Sequence, residues 1–116
     1  MKLIIAKNYE ELSKVAANEM ADVVKNNPSA ILGLATGGSP IGMYKELIRM
    51  NKEGEIDFSK VTTVNLDEYV GLSGEHPQSY RYFMNDNLFN HINIDKKNTY
   101  VPNGLAENIE EECKNY

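Results

Sequence analysis

The stretch Ala30 to Leu47, AILGLATGGSPIGMYKEL, decides the fold. Its opening run, Ala30-Ile31-Leu32-Gly33-Leu34, is unbroken in apolarity, the pattern of a short strand buried on both faces. Thr36-Gly37-Gly38-Ser39 ends that run, and the paired glycines reach backbone angles closed to other residues. Ser39 suits a helix N-cap, and Pro40 suits the first helical position, where its missing N–H costs nothing. Ile41, Tyr44 and Ile48, with Met43, Leu47 and Met50, then recur at helical spacing. A strand, a glycine loop and a helix start in that order gather free N–H groups and a positive dipole end around one point. The natural occupant is an anion, most often a phosphate. The plain alternative is a tight turn that binds nothing. Neither a Walker loop nor a Gly-x-Gly-x-x-Gly fingerprint is present, so the phosphate is suggested without its carrier.

The rest of the chain agrees with this start. Its 116 residues suffice for one domain with a real core, and 41% hydrophobic with 25% charged residues is an ordinary globular composition. No apolar run approaches bilayer length, and the apolar part of Met1 to Lys7 is too short for a signal peptide, so the expected location is the cytoplasm. Twelve basic against 17 acidic residues give a net charge of −5, which disfavours nucleic acid and anionic membranes as partners. A small anion is still allowed, because a helix N-terminus acts locally. The single cysteine, Cys113, excludes an internal disulfide and reads as a packing residue on a helix face.

In chain order, Leu3 to Ala6 reads as a first strand. Asn8, with Glu11 three residues on, caps a helix whose stripe is Leu12, Val15, Ala16, Met20, Val23 and Val24, leaving Glu10, Lys14, Asn18 and Asp22 in water. The helix after Pro40 runs out between Asn51 and Gly54, and Glu55 to Lys60 reads as a polar turn. Val61 to Leu66 is a further strand, leading into Asp67-Glu68-Tyr69. His76-Pro77-Gln78-Ser79 opens a helix with Tyr80, Phe83, Met84 and Leu88 inward. Asn98 to Val101 is a last short strand, and a helix follows from Glu107 with Ile109, Cys113 and Tyr116 on one face. That last pattern is still in progress at Tyr116.

Strands alternating with helices predict an α/β fold, a mostly parallel sheet with helices on both faces in the Rossmann-like manner. Every strand-to-helix loop then leaves one sheet edge, so Gly37-Gly38-Ser39 and Asp67-Glu68 converge on one crevice. Asp67 and Glu68 are neighbours on extended chain and point to opposite sides, which suits one carboxylate in the crevice and one in support. A carboxylate beside a bound phosphosugar is placed to abstract a proton from carbon. Solvated loop acids are the plain alternative. His76 reads as a loop or capping residue and His91 as packing near a helix end; the histidines and acids show no metal-ligand spacing. Tyr69, Tyr80 and Tyr82 read as packing residues, with Tyr69 able to wall the crevice.

Three stretches together, LGLATGGSPIGMYKEL at Leu32 to Leu47, VNLDEYVGLSGEHPQSYRYFM at Val64 to Met84 and HINIDKKNTYVPNG at His91 to Gly104, resemble the glucosamine-6-phosphate deaminase family. The likeness covers essentially the whole chain. It implies a cofactor-free conversion of glucosamine 6-phosphate to fructose 6-phosphate and ammonia. Asp67 matches the family's base at carbon 2, while Thr36, Gly37, Gly38 and Ser39 match its substrate loop. Glu68 and Tyr69, in the Asp67 motif, join them as substrate-contact candidates without a chemical step. Family members are much longer, and their ring-opening histidine and remaining basic phosphate ligands lie further on, so the resemblance implies an N-terminal portion. It also admits a homo-oligomer, and it predicts weak binding and little turnover by these residues alone. Two other readings stand beside it, a non-catalytic phosphosugar-binding module and a 6-phosphogluconolactonase-like hydrolase.

Overall fold

The computed structural model describes residues 8–116. The strand expected at Leu3 to Ala6 lies outside the described residues. The elements run α1 (Tyr9–Asn26), β1 (Ile31–Leu34), α2 (Ile41–Lys52), β2 (Thr62–Asn65), α3 (Tyr80–Asn87), β3 (Thr99–Tyr100) and α4 (Ile109–Asn115), with 3-10 turns at Phe89–His91 and Lys96–Asn98. The three strands form one parallel sheet in the order β1-β2-β3. Ile31 pairs with Thr62, Leu34 with Asn65, and Val64 with Tyr100. This is the α/β architecture that the alternation of patterns implies.

Burial along β1 alternates, which corrects the reading of a strand covered on both faces. Leu32 and Leu34 are buried, as are Thr63, Asn65 and Thr99 on the neighbouring strands, whereas Ile31 is 73% exposed. The inward strand residues join Ala17, Ala21 and Val24 of α1, Tyr44, Leu47 and Met50 of α2, and Met84 of α3 in one core. Helices thus line one face of the sheet, and the Ile31 face is open among the described residues.

Asn8 caps α1 as expected, its side chain accepting from Glu11 N–H at 2.8 Å. The face of α1 turned inward differs from the expected stripe. Ser13, Ala17, Ala21 and Val24 are buried, while Leu12 and Val23 stand half exposed. α1 packs on α2, whose Tyr44 and Leu47 are fully buried, and small side chains let the two axes approach closely. Close approach selected residue size over apolarity.

Glu55 to Lys60 is likewise more than a polar turn, since Ile56 and Phe58 within it are buried. Two asparagines far apart in sequence hold it down. Asn51 Nδ2 donates to the Ile56 carbonyl and to Asn93 Oδ1, and Asn93 Oδ1 also accepts from Phe58 N–H. Asn93 Nδ2 donates to Asp57, whose carboxyl lies below its ordinary value because Ser59 N–H and then Asn93 hydrogen-bond it. α4 starts at Ile109 under an Asn108 cap and contains no buried residue. Cys113 is therefore exposed, which corrects its reading as a packing residue.

Candidate functional site

Because Leu34 and Asn65 are side-by-side partners, the chain leaves β1 and β2 at the same level of the same sheet edge. β3 ends there too, so three loops meet. Asn65 Nδ2 donates to the Leu34 carbonyl at 3.0 Å and ties the first two strand ends together. The Tyr116 hydroxyl lies against the carbonyls of Asn65 and Tyr100 and bridges the second and third.

The first loop carries Thr36, half-buried, and Gly37, Gly38 and Ser39, all exposed. Gly37 sits at φ +95°, the left-handed region that the paired glycines lead one to expect. Ser39 does not cap α2. The residue preceding the helix is Pro40, and no side chain in the cap position bonds the first turn. The chain turns through Ser39-Pro40 first, so the helix begins one residue later than Pro40 at its first position requires. Two tyrosines hold the loop instead, Tyr44, expected only as part of the helix's apolar stripe, and Tyr9, which no sequence pattern singles out. At its start, the Tyr44 hydroxyl accepts from Ala35 N–H at 3.1 Å and donates to the Ala35 carbonyl. At its end, the Tyr9 hydroxyl donates to the Gly38 carbonyl at 3.0 Å and accepts from Gly42 N–H at 2.9 Å. No hydrogen bond among the described residues occupies the N–H groups of Gly37, Gly38 or Ser39. With no acidic residue in the first turn of α2, the loop presents donors to an anion.

Burial pushes the Tyr44 phenol up to about 12, a shift that its Ala35 bond only partly offsets. Tyr44→Phe keeps the buried ring and strands both Ala35 groups. The expected loss is about 1–3 kcal/mol of stability, read from urea unfolding. A change within error would mean that water replaces the hydroxyl.

The second loop separates the two acids as expected of neighbours on extended chain. Asp67 is exposed, and no hydrogen bond among the described residues engages its carboxylate. Glu68 turns the other way, onto the start of α3. Its Oε1 accepts from Tyr80 N–H at 2.8 Å and from Tyr69 N–H at 2.9 Å; its Oε2 accepts from Ser79 Oγ at 2.7 Å and from Arg81 N–H at 3.0 Å. Burial pushes the Glu68 carboxyl up, but the four donors outweigh it and leave the group below its ordinary value. These bonds give Glu68 a supporting role at the start of α3. Tyr69 packs against Tyr80 with the rings tilted by 41° and their centroids 4.8 Å apart, and keeps half its surface exposed. His76 is a turn residue, its Nδ1 accepting from Gln78 N–H, and His91 meets the Asp86 carbonyl at the end of α3.

The third loop braces the second. Gly71 N–H donates to the Gly104 carbonyl at 2.7 Å. Arg81, half-buried over the Phe89 ring, donates to Thr99 Oγ1 and to the Thr99 carbonyl, joining α3 to β3. Glu68, Leu72, Gly74, Arg81 and Val101 to Gly104 line a hollow of about 190 Å³ beside the loop. A Cβ on Gly104 would fall 2.1 Å from the Tyr69 carbonyl oxygen and 3.2 Å from that of Leu72. Backbone cannot swing aside as a side chain does, so Gly104→Ala forces the Tyr69–Leu72 segment away. About 1–3 kcal/mol of stability should be lost, with faster hydrogen exchange at Gly71 N–H. Unchanged protection there would show that the two loops are not coupled.

Residues 6–116 match the family model described as glucosamine-6-phosphate isomerases/6-phosphogluconolactonase. A glucosamine-6-phosphate deaminase of Clostridium perfringens is 77% identical over all 116 residues, which correspond to 48% of its length. One from Thermoanaerobacter pseudethanolicus is 62% identical across the whole chain and 46% of its own. Among solved structures, a monomeric glucosamine-6-phosphate deaminase superposes with a TM-score of 0.96 at 48% identity, covering the whole chain and 48% of that protein. A 6-phosphogluconolactonase from Thermotoga maritima superposes with a TM-score of 0.75 at 17% identity, covering 98% of the chain and 50% of that protein, a likeness of fold alone. The chain spans about half the length of the curated relatives it matches.

Proposed function

This chain belongs to the family of glucosamine-6-phosphate isomerases and 6-phosphogluconolactonases, and from that premise we propose that it carries the carbon-acid half of a glucosamine-6-phosphate deaminase site. In this reading residues 1–116 are the N-terminal part of a longer phosphosugar deaminase domain. The sugar phosphate, or an oxygen near it, lies against the N–H groups of Gly37, Gly38 and Ser39, with Thr36 beside them. Asp67 faces carbon 2 of the open-chain sugar, and Tyr69 walls the crevice.

The chemistry follows from the substrate. In the open form an aldehyde at carbon 1 acidifies the hydrogen on carbon 2, which also bears the amine. The Asp67 carboxylate takes that proton, the electron pair of the broken C–H bond forms a carbon 1–carbon 2 double bond, and the carbonyl pair moves onto oxygen 1, which takes up a proton. Addition of a proton to carbon 1 and loss of one from the amine nitrogen leave an imine at carbon 2, which water cleaves to the ketose and ammonia. No redox step occurs, so no redox cofactor is required. The compartment of such metabolism is the cytoplasm, and the partner is a small phosphosugar in place of nucleic acid or membrane.

The observation that supports this reading most is the pairing of Leu34 with Asn65, which sends the free-amide loop and the Asp67 loop off one edge. The lactonase reading shares the family model, but its solved structure is only 17% identical, against 77% for a deaminase relative. Titrating the isotope-labelled chain with glucosamine 6-phosphate tests the proposal by nuclear magnetic resonance. Saturable shifts at Gly37 to Ser39 and at Asp67 are expected. Shifts confined to any other surface, or none at millimolar sugar, would overturn it.

A further inference from the structure

The substrate loop owes its shape to a residue on a different helix. Tyr9 is the first residue of α1, yet its hydroxyl sits between the Gly38 carbonyl and the Gly42 N–H, 29 and 33 residues further on. One hydroxyl uses its proton on the loop and its lone pair on the first turn of α2. The same contact takes up a donor that the helix start would otherwise leave open, in place of the side-chain cap that Ser39 does not provide.

The consequence for the loop follows from peptide planarity. In a trans peptide the carbonyl and the next residue's N–H point in opposite directions. A Gly38 carbonyl drawn towards Tyr9 therefore turns the Ser39 N–H away from α1. The Ile41 N–H also approaches this carbonyl, at the longer distance of 3.4 Å, and leaves the Tyr9 contact as the shorter tether. Glycine at both 37 and 38 makes this peptide easy to rotate, so the direction of the Ser39 N–H needs an external hold. Tyr44 cannot supply it, because its hydroxyl is engaged at Ala35, on the other side of the two glycines.

We infer that Tyr9 is a positioning residue for the anion loop, fixing the Gly38–Ser39 peptide so that the Ser39 N–H is aimed before a ligand arrives. The inference rests on the functional reading above for the identity of the ligand, and on the two hydroxyl bonds alone for the anchoring. A loop already ordered loses less freedom on binding, so the anchor acts through affinity.

Tyr9→Phe removes the hydroxyl and keeps the ring, and two readouts on the full chain separate the possibilities. Without ligand, hydrogen exchange at Gly42 N–H should quicken and order parameters at Gly37 to Ser39 should fall, with exchange in the middle of α1 unchanged. With glucosamine 6-phosphate, the dissociation constant should rise about three- to tenfold, an effect that general loosening of α1 would not give without raising exchange along that helix. Unchanged exchange at Gly42 and unchanged loop order overturn the anchoring outright. Altered loop order with an unchanged dissociation constant overturns its part in binding. If the parent chain binds no sugar, the functional reading fails, and the ligand-free measurements still decide whether Tyr9 holds the loop.

Discussion

Asp67→Asn is expected, if Asp67 is the base proposed above, to slow exchange of the carbon 2 hydrogen of glucosamine 6-phosphate with solvent by about 10²–10⁴-fold, the usual contribution of a positioned general base. The amide has the shape of the carboxylate but cannot accept a proton at neutral pH. Affinity for the sugar should change by no more than about twofold, because in this reading the phosphate end is held at Gly37 to Ser39. Hydrogen exchange at carbon 2 is the better assay, since it reports the proton-transfer step even when the later steps are slow. A variant that retains the parent rate would move the base to another residue. A parent chain that binds sugar and exchanges nothing above background would make this chain a phosphosugar-binding module. The exposed position of Asp67, with no hydrogen bond among the described residues on its carboxylate, fits the role, because a base tied up by neighbours must first be released.

Glu68→Ala should have the largest effect on stability. It deprives three backbone N–H groups and the Ser79 hydroxyl of their acceptor, and Ser79 is fully buried. Bonds to a charged group contribute about 1.5–3 kcal/mol each when removed singly, but these four share one carboxylate and their losses do not sum. A total near 3 kcal/mol is expected, a large share of the stability of a small domain. Urea midpoints at neutral pH measure it. The deficit should shrink in acid. Glu68 titrates lower in the folded chain than in the unfolded one, so its stabilisation is complete above the ordinary carboxylate range and is lost as pH falls through the folded value. A deficit that stays constant down to about pH 3 would mean that shape, and not charge, is what α3 requires of this residue.

These two neighbours illustrate what sequence discloses and what it withholds. That Asp67 and Glu68 must part company follows from extended geometry, and the end of β2 is marked by the change from β-branched residues to acids. The edge on which they meet Gly37 to Ser39 follows from strand–helix alternation. The partners of Glu68 do not, because Tyr80 and Arg81 lie across a loop whose path no local pattern dictates. Tyr9, Asn51 and Asn93 are hidden for the same reason: each acts through side-chain bonds spanning from 29 to 42 residues. Periodicity placed α1 correctly and its inward face in part: Val24 and Met20 turn inward as expected, while Leu12 and Val23 stand half exposed, since periodicity weighs apolarity and is blind to how closely a second helix approaches. The Ser39 cap failed on a subtler point. A residue suited to capping is one residue too early when the chain bends again before the helix begins.

The parallel pairing of the strands also sets an order of assembly. Ile31 meets Thr62, and Thr63 meets Thr99, so each strand must wait for a full helix to be made and folded back before its partner is within reach. Contacts of that kind are slow to nucleate, because chain entropy is spent before any pairing returns it. The adjacent helices α1 and α2, joined only by β1 and the loop that Tyr9 and Tyr44 grip, offer the shortest route to a nucleus. On this route the Gly37 to Ser39 loop takes shape early in folding, and the brace between Gly71 and Gly104 closes late.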